Sequence, residues 1–159
     1  IFEPSVPANK LIFPEGPEYV IMCYNLYGTH TKDAGPKADP AFIDTVLGRV
    51  DRLPRPHSIA FATGGCIWES GQSPRMVTEG EARELAKSLH AKVQREPSSQ
   101  ALRFEGRRAD GAAVTGWYGD SETIRAWKQQ ALEHGVDGIS LWRLGGNDHI
   151  RTYYVGLMP

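Results

Sequence analysis

The order of predicted strands and helices indicates an α/β protein. Apolar runs at 19–24, 58–65 and 138–146 are typical of buried strands, and helical patterns separate them. Strands that alternate with helices usually pair in parallel, because each crossover returns the chain to the same end of the sheet. Two architectures fit this order: an open doubly wound sheet, or part of a (β/α)8 barrel.

Each predicted helix begins at a residue that favours the N-cap position, namely Asp39, Thr78 and Asp120. Pro40 suits the first turn of the first helix, whose apolar residues then recur on one face. The second helix has Glu81 three residues after its cap, which is a capping box. The third spans roughly 121–134 and ends at Gly135.

Between the second and third helices the pattern changes to that of antiparallel strands. Residues 91–96 and 101–119 are predicted to form these strands, with Asp110-Gly111 as a hairpin turn. At the start of the chain, residues 1–7 (IFEPSVP) are a plausible short strand that prolines interrupt. The sequence therefore predicts parallel α/β structure with a small α+β insertion.

Composition excludes several classes of function. The chain has 159 residues, 18 basic and 19 acidic side chains and a net charge of -1, without a basic stripe that would indicate nucleic-acid binding. No apolar run approaches the roughly 20 residues needed to span a membrane. Cys23 and Cys66 lie in apolar runs and are expected to be buried free thiols. No metal-ligand spacing or phosphate loop is present, so we expect no metal and no cofactor.

Large polar and aromatic residues cluster where the predicted parallel strands end, which is where α/β proteins place functional groups. Aromatic faces stack on sugar rings, while amide, hydroxyl and guanidinium groups bind their hydroxyl and acetamido groups. The candidates are Met22, Tyr24, Asn25 and Tyr27 after the first run, Trp68 and Glu69 after the second, and Trp142, Arg143 and Asn147 after the third. A packing role for the aromatic residues, and an exposed or paired charge at Arg143, remain the alternatives.

Several stretches resemble glycoside hydrolase family 18, in order along nearly the whole chain. YVIMCYNLYG resembles the family's sixth-strand motif, M-x-Y-D followed by glycine, and GISLWRLGG is similar to its eighth strand, which ends in a tryptophan. HSIAFATGGCIW takes the place of the seventh strand, IFEPSVP that of the fifth, and 77–127 resembles the family's small insertion. The resemblance implies about strands five to eight of a (β/α)8 TIM barrel, formed by 1–75 and 119–159, with an α+β insertion at 76–118.

The resemblance also implies substrate-assisted hydrolysis of glycans that contain N-acetylglucosamine, such as peptidoglycan or chitin. Tyr24 and Asn25 would position the acetamido group that attacks the anomeric carbon, and Trp142 would lie beneath the sugar. Met22, Tyr27, Trp68 and Arg143 are the further candidates for substrate binding. An extracellular or cell-envelope location follows from the family's usual substrates.

The sequence departs from the family in two ways. Position 25 is Asn where the family usually has Asp, so it supplies no charge to the reaction intermediate. The family's acidic motif D-x-x-D-x-D-x-E, which carries the general acid, does not occur, and we expect that glutamate upstream of Ile1. A half-barrel leaves two sheet edges unpaired, so its partner is expected to be the N-terminal half-barrel or a second copy.

Two hypotheses therefore remain open: part of a glycosidase that is inactive alone, or a family-18-like lectin or scaffold that binds glycans without cleaving them. A nucleotide-binding α/β domain is disfavoured because no phosphate loop is present.

Overall fold

A computed structural model describes residues 1 and 3–143, which form two β-sheets and three α-helices. In chain order the elements are β1 (Tyr19–Met22), α1 (Pro40–Val50), β2 (His57–Ala62), β3 (Gly64–Glu69), β4 (Arg75–Val77), α2 (Glu79–Ser88), β5 (Gln94–Arg95), β6 (Leu102–Arg107), β7 (Ala113–Gly119), α3 (Ser121–Glu133) and β8 (Gly138–Trp142). A 3-10 turn, Ala8–Lys10, precedes β1. The predicted α/β class is confirmed.

The first sheet is parallel and has the order β1-β2-β8. Ile21, Ile59 and Ile139 lie side by side in its register. Because side chains alternate across a strand, these isoleucines and their neighbours two residues on face α1 and α3. Ile21 and Ile59 are fully buried in the larger hydrophobic cluster, which contains the apolar faces of both helices. The described helices of this layer therefore cover one face of the sheet.

The second sheet is antiparallel, with the order β4-β3-β7-β6-β5, and its strands lie between β2 and α3 in the sequence. Helix α2 packs on one face and forms a smaller hydrophobic cluster around Ile67, Phe104 and Tyr118. We call residues 64–119 the antiparallel unit. The division of the chain into 1–75 with 119–159 and an insertion at 76–118 stays a prediction.

One residue, Thr63, separates the two sheets. Strand β2 ends at Ala62, and Gly64 then adopts a positive φ of 73° before β3 begins. A side chain at Gly64 would clash with the carbonyl oxygen of Val77 in β4, so only glycine fits this close approach. The chain therefore changes sheets at Gly64, whereas the sequence predicts one uninterrupted strand over 58–65.

A second link joins the antiparallel unit to α3. The guanidinium of Arg95 forms an ion pair with Asp120, the N-cap of α3, at 2.7 Å. The indole Nε1 of Trp127 donates to the carbonyl oxygen of Ser99 at 2.7 Å, and the Thr123 hydroxyl donates to that of Gln100 at 2.7 Å. These buried polar contacts fix the unit against the helical layer.

The predicted N-caps of all three helices and the turn at Gly111 are confirmed. Cys23 and Cys66 are buried and free, as predicted. The strand predicted over 1–7 is wrong for the described residues, which form a turn closed by Val6 N donating to the Glu3 carbonyl. Pro4 and Pro7 have no N–H to donate to a ladder. The strand predicted over 91–96 is present only as the two residues of β5, Gln94–Arg95.

The buried strand predicted over 19–24 corresponds to β1, which lies at an edge of the described parallel sheet. No helix among the described residues is long and apolar enough to cross a membrane.

We expect Gly64→Ala to destabilise the protein more than Gly71→Ala does. Both glycines have positive φ, 73° and 77°, so each substitution carries the strain of a side chain there, about 1 kcal/mol. Only Gly64 also faces backbone, and forcing β4 away adds roughly 1–3 kcal/mol. Urea unfolding of the two variants measures the difference. Equal losses would show that the contact with Val77 is not tight.

We expect Asp120→Asn to lower the free energy of unfolding at pH 7 by about 1–3 kcal/mol more than Asp39→Asn does. Asparagine still caps a helix, so both variants keep the cap, but only Asp120 loses an ion pair, with Arg95. Urea unfolding of both variants, at pH 7 and at a series of lower pH values, measures the difference in the free energy of unfolding.

The pH dependence of that difference has a defined sign. Burial raises the pKa of Asp120, but hydrogen bonds from Arg95 and Thr123 outweigh it and hold the pKa below its ordinary value. The stabilisation is therefore present above the ordinary pKa of about 4 and is lost as the pH falls through the lower, folded-state pKa. A gap between the two variants that persists in strong acid would exclude the ion pair as its source.

Candidate functional site

The carboxyl ends of the three parallel strands meet at one edge of the sheet. Met22 pairs with Ala60 in register, and Ala62 pairs with Trp142. Because Ile21 and its in-register neighbours face the helices, the alternate positions face the opposite side. On that side the large side chains of Met22 in β1 and Trp142 in β8 flank the small side chains of Ala60 and Ala62 in β2.

Tyr24 and Asn25 directly follow β1 at this edge. Tyr24 is half-buried, and burial together with the carboxylate of Glu3 raises the pKa of its phenol. The hydroxyl therefore stays protonated at neutral pH and can donate a hydrogen bond. The Oδ1 of Asn25 is buried and accepts no hydrogen bond from the described residues. An unsatisfied buried acceptor costs stability, which is typical of a group kept for a ligand.

Trp142 stands at the end of β8 with half of its surface exposed. It lines a small cavity of about 60 Å³, whose other lining residues are Thr63, Met76, Val77, Thr78, Glu81 and Arg143. Thr63 fixes this corner, since its N–H donates to the Trp142 carbonyl at 2.8 Å and its hydroxyl to the Arg143 carbonyl at 3.2 Å. The peptide bond between Trp142 and Arg143 is cis. An exposed aromatic face with polar groups around it can hold a sugar ring.

Trp68 lies apart from these residues. It belongs to β3 in the antiparallel sheet, is 8% exposed, and its Nε1 donates to the Thr31 carbonyl at 3.1 Å. The ring of Tyr27 packs so closely on Gly35 that a side chain there would clash with it. Both aromatic residues thus hold the loop 26–39 in place. Asn147 lies outside the described residues.

The register places Met22 and Trp142 at the same edge of the sheet, and Arg143 lines the cavity with Trp142. Tyr24 and Asn25 come shortly after β1, at the end of the sheet where β8 also ends. Sequence reasoning did not select Thr63 or Glu81 for this site. The capping box was the signal at Glu81, but it indicates only a helix start. Among the described residues, no group of three or more His, Cys, Asp or Glu side chains could hold a metal ion.

No protein-family model matches the sequence, and a search of curated proteins found no match. The fold does match solved structures. A chitinase from Chromobacterium violaceum aligns with a TM-score of 0.76 and 22% identity over 87% of this chain and 44% of its own. The Bacillus cereus spore cortex-lytic enzyme SleL aligns with a TM-score of 0.74 and 21% identity over 87% of this chain and 34% of its own.

A mutant class V chitinase from Nicotiana tobaccum, solved in complex with NAG4, aligns with a TM-score of 0.75 and 14% identity over 99% of this chain and 55% of its own. The chain thus spans between about a third and just over half of the length of these three structures. The predicted resemblance is confirmed at the level of the fold: this chain is similar to part of the chitinases and spore cortex-lytic enzymes.

Proposed function

We propose that this chain is the C-terminal part of a glycosidase that acts on glycans containing N-acetylglucosamine, such as peptidoglycan or chitin. Its parallel strands would be about strands six to eight of a (β/α)8 barrel, with the segment before Tyr19 in the place of the fifth. The observation that carries this proposal is that Tyr24 and Asn25 follow β1, and Trp142 ends β8, at the same edge of a parallel sheet, in a fold similar to that of chitinases.

In this proposal the substrate's own acetamido oxygen attacks the anomeric carbon, while a glutamic acid outside this chain protonates the leaving oxygen. The protonated hydroxyl of Tyr24 donates a hydrogen bond that holds the acetamido oxygen in line. The unsatisfied Oδ1 of Asn25 accepts a hydrogen bond from the same sugar. Met22 lines that side, and Trp142 stacks on the apolar face of the ring, with Arg143 at its rim.

Tyr27 and Trp68 would act through the loop 26–39: Tyr27 packs within it against Gly35, and Trp68 of β3 donates a hydrogen bond to its Thr31 carbonyl. The same proposal places the N-terminal half-barrel, or a second copy of the chain, against the free edges of β1 and β8. It also implies an extracellular or cell-envelope location, where such glycans occur.

A glycan-binding protein without hydrolysis is the second candidate, and Asn25 favours it. An amide orients a substrate but cannot supply the negative charge that would stabilise a cationic intermediate. Release of reducing ends from chitotetraose by the intact protein distinguishes the two functions. Binding without release would identify the lectin-like alternative.

We expect Trp142→Ala to weaken the binding of chitotetraose at least tenfold, because the sugar loses its aromatic platform. Isothermal titration calorimetry on the intact protein measures the affinity. Leu132→Ala is the control, since Leu132 is also a large exposed apolar residue, 44% against 50%, but lies on α3. Unchanged binding by the Trp142 variant would exclude the platform role.

We expect Asn25→Leu to weaken the same binding without lowering the free energy of unfolding. Leucine has the same branched arrangement of four side-chain heavy atoms and removes a buried acceptor that accepts no hydrogen bond from the described residues. Urea unfolding and calorimetry on one preparation measure both quantities. Loss of stability with normal binding would instead assign Asn25 to the fold.

A further inference from the structure

The cavity beside Trp142 has two walls from different parts of the molecule. Thr63, Trp142 and Arg143 come from the ends of the parallel strands, whereas Val77 and Glu81 come from the antiparallel unit, at β4 and the first turn of α2. The unit therefore contributes side chains directly to the edge where the sugar is proposed to bind.

The carboxylate of Glu81 is held in one orientation. Its Oε2 accepts from the backbone N–H of Thr78 at 2.7 Å, and the hydroxyl of Thr78 accepts from the Glu81 N–H at 3.1 Å. This reciprocal capping box uses one carboxylate oxygen. A carboxylate offers about four acceptor sites, and Glu81 is exposed, so it can accept further hydrogen bonds from a ligand. Glu81 thus offers a preorganised acceptor whose side-chain entropy is already reduced.

The wall that carries Glu81 is anchored close to Trp142. Val77 pairs with Gly65 across β3 and β4, and its carbonyl lies against Gly64. Thr63, the residue before Gly64, donates hydrogen bonds to the carbonyl oxygens of Trp142 and Arg143. A short chain of backbone contacts therefore fixes the first turn of α2 relative to the aromatic ring.

We propose that Glu81 is a sugar-binding residue of this site, which accepts hydrogen bonds from the hydroxyl groups of a neutral N-acetylhexosamine stacked on Trp142. This inference rests on the proposed function and extends it to a residue of the antiparallel unit. Sugar hydroxyls donate and accept hydrogen bonds, and the cavity presents the Glu81 acceptor and the Arg143 donor beside the ring.

The charges of the cavity match a neutral ligand. Glu81 is ionised near neutral pH. The hydrogen bond from the Thr78 backbone lowers its pKa most, burial opposes this, and the Thr78 side chain and the cations of Arg75 and Arg143 lower the pKa further, so that it lies below the ordinary value. Glu81 and Arg143 are the charged residues that line the cavity, and their formal charges cancel. A neutral sugar can therefore enter without an unbalanced charge, whereas an acidic sugar would lie against the carboxylate.

Glu81→Gln tests the proposal. Glutamine retains the capping box, so α2 should still form, but the acceptor loses its charge. We expect the affinity of the intact protein for chitotetraose, measured by isothermal titration calorimetry, to fall about three- to tenfold, because charge-assisted hydrogen bonds are stronger than neutral ones. Glu84→Gln is the matched control: it removes the same charge from an exposed position on α2 that does not line the cavity, and it should bind as the wild type does.

The outcomes separate this inference from the proposed function. Wild-type affinity in Glu81→Gln, together with lost binding in Trp142→Ala, would overturn the role of Glu81 and leave the sugar site standing. Absence of chitotetraose binding by the wild-type protein would overturn both. A drop in affinity in Glu81→Gln but not in Glu84→Gln, measured well below the thermal unfolding midpoint of both variants, would support the direct contact, because the protein is then folded and unfolding cannot account for the loss.

Discussion

The rest of the structure depends on the hydrogen-bonded register of β2 between β1 and β8. Those two parallel ladders align Ile21, Ile59 and Ile139, which face the helices. The residues next to them in each strand therefore face the opposite side of the sheet. A slip of one residue would exchange the two sets and expose the core side chains. The same register brings Met22 and Trp142 to one edge, so the positions that stabilise the core also determine the site.

The second organising element is the corner at Thr63 and Gly64. The parallel layer ends there, the antiparallel unit begins, and the hydrogen bonds of Thr63 reach the end of β8. The site is therefore composite. Its aromatic platform belongs to one sheet, and its anchored carboxylate belongs to a helix that packs on the other. Contacts of Arg95 and Trp127 hold the far end of the unit against α3.

Local features of the fold could be predicted from the sequence, because they depend on neighbouring residues. Asp39, Thr78 and Asp120 cap their helices through contacts within three residues, and sequence alone carries that information. Features that depend on distant partners could not be predicted. Within the run at 58–65 the sheet changes at Thr63, a residue type that strands also favour, so only the φ of Gly64 and the pairing of β3 with β7 reveal the change.

The same distinction applies to the candidate site. Residues at strand ends could be selected because the parallel arrangement brings those ends together. Trp68 was grouped with them because it follows an apolar run, yet its burial depends on a hydrogen bond to Thr31, 37 residues away in the chain. Glu81 has an obvious local role in its cap, and its proximity to Trp142 follows only from the placement of α2.

The pairing of Gly64 with Gly119 has a consequence for modularity. These residues begin and end the antiparallel unit, and residues paired across antiparallel strands lie only about 5 Å apart. The chain therefore enters and leaves the unit at two adjacent points, where β3 begins and β7 ends. A longer, exchanged or deleted unit would change the wall of the cavity. The rest of the chain would still need to bridge only the short gap between Gly64 and Gly119, which a tight turn can span.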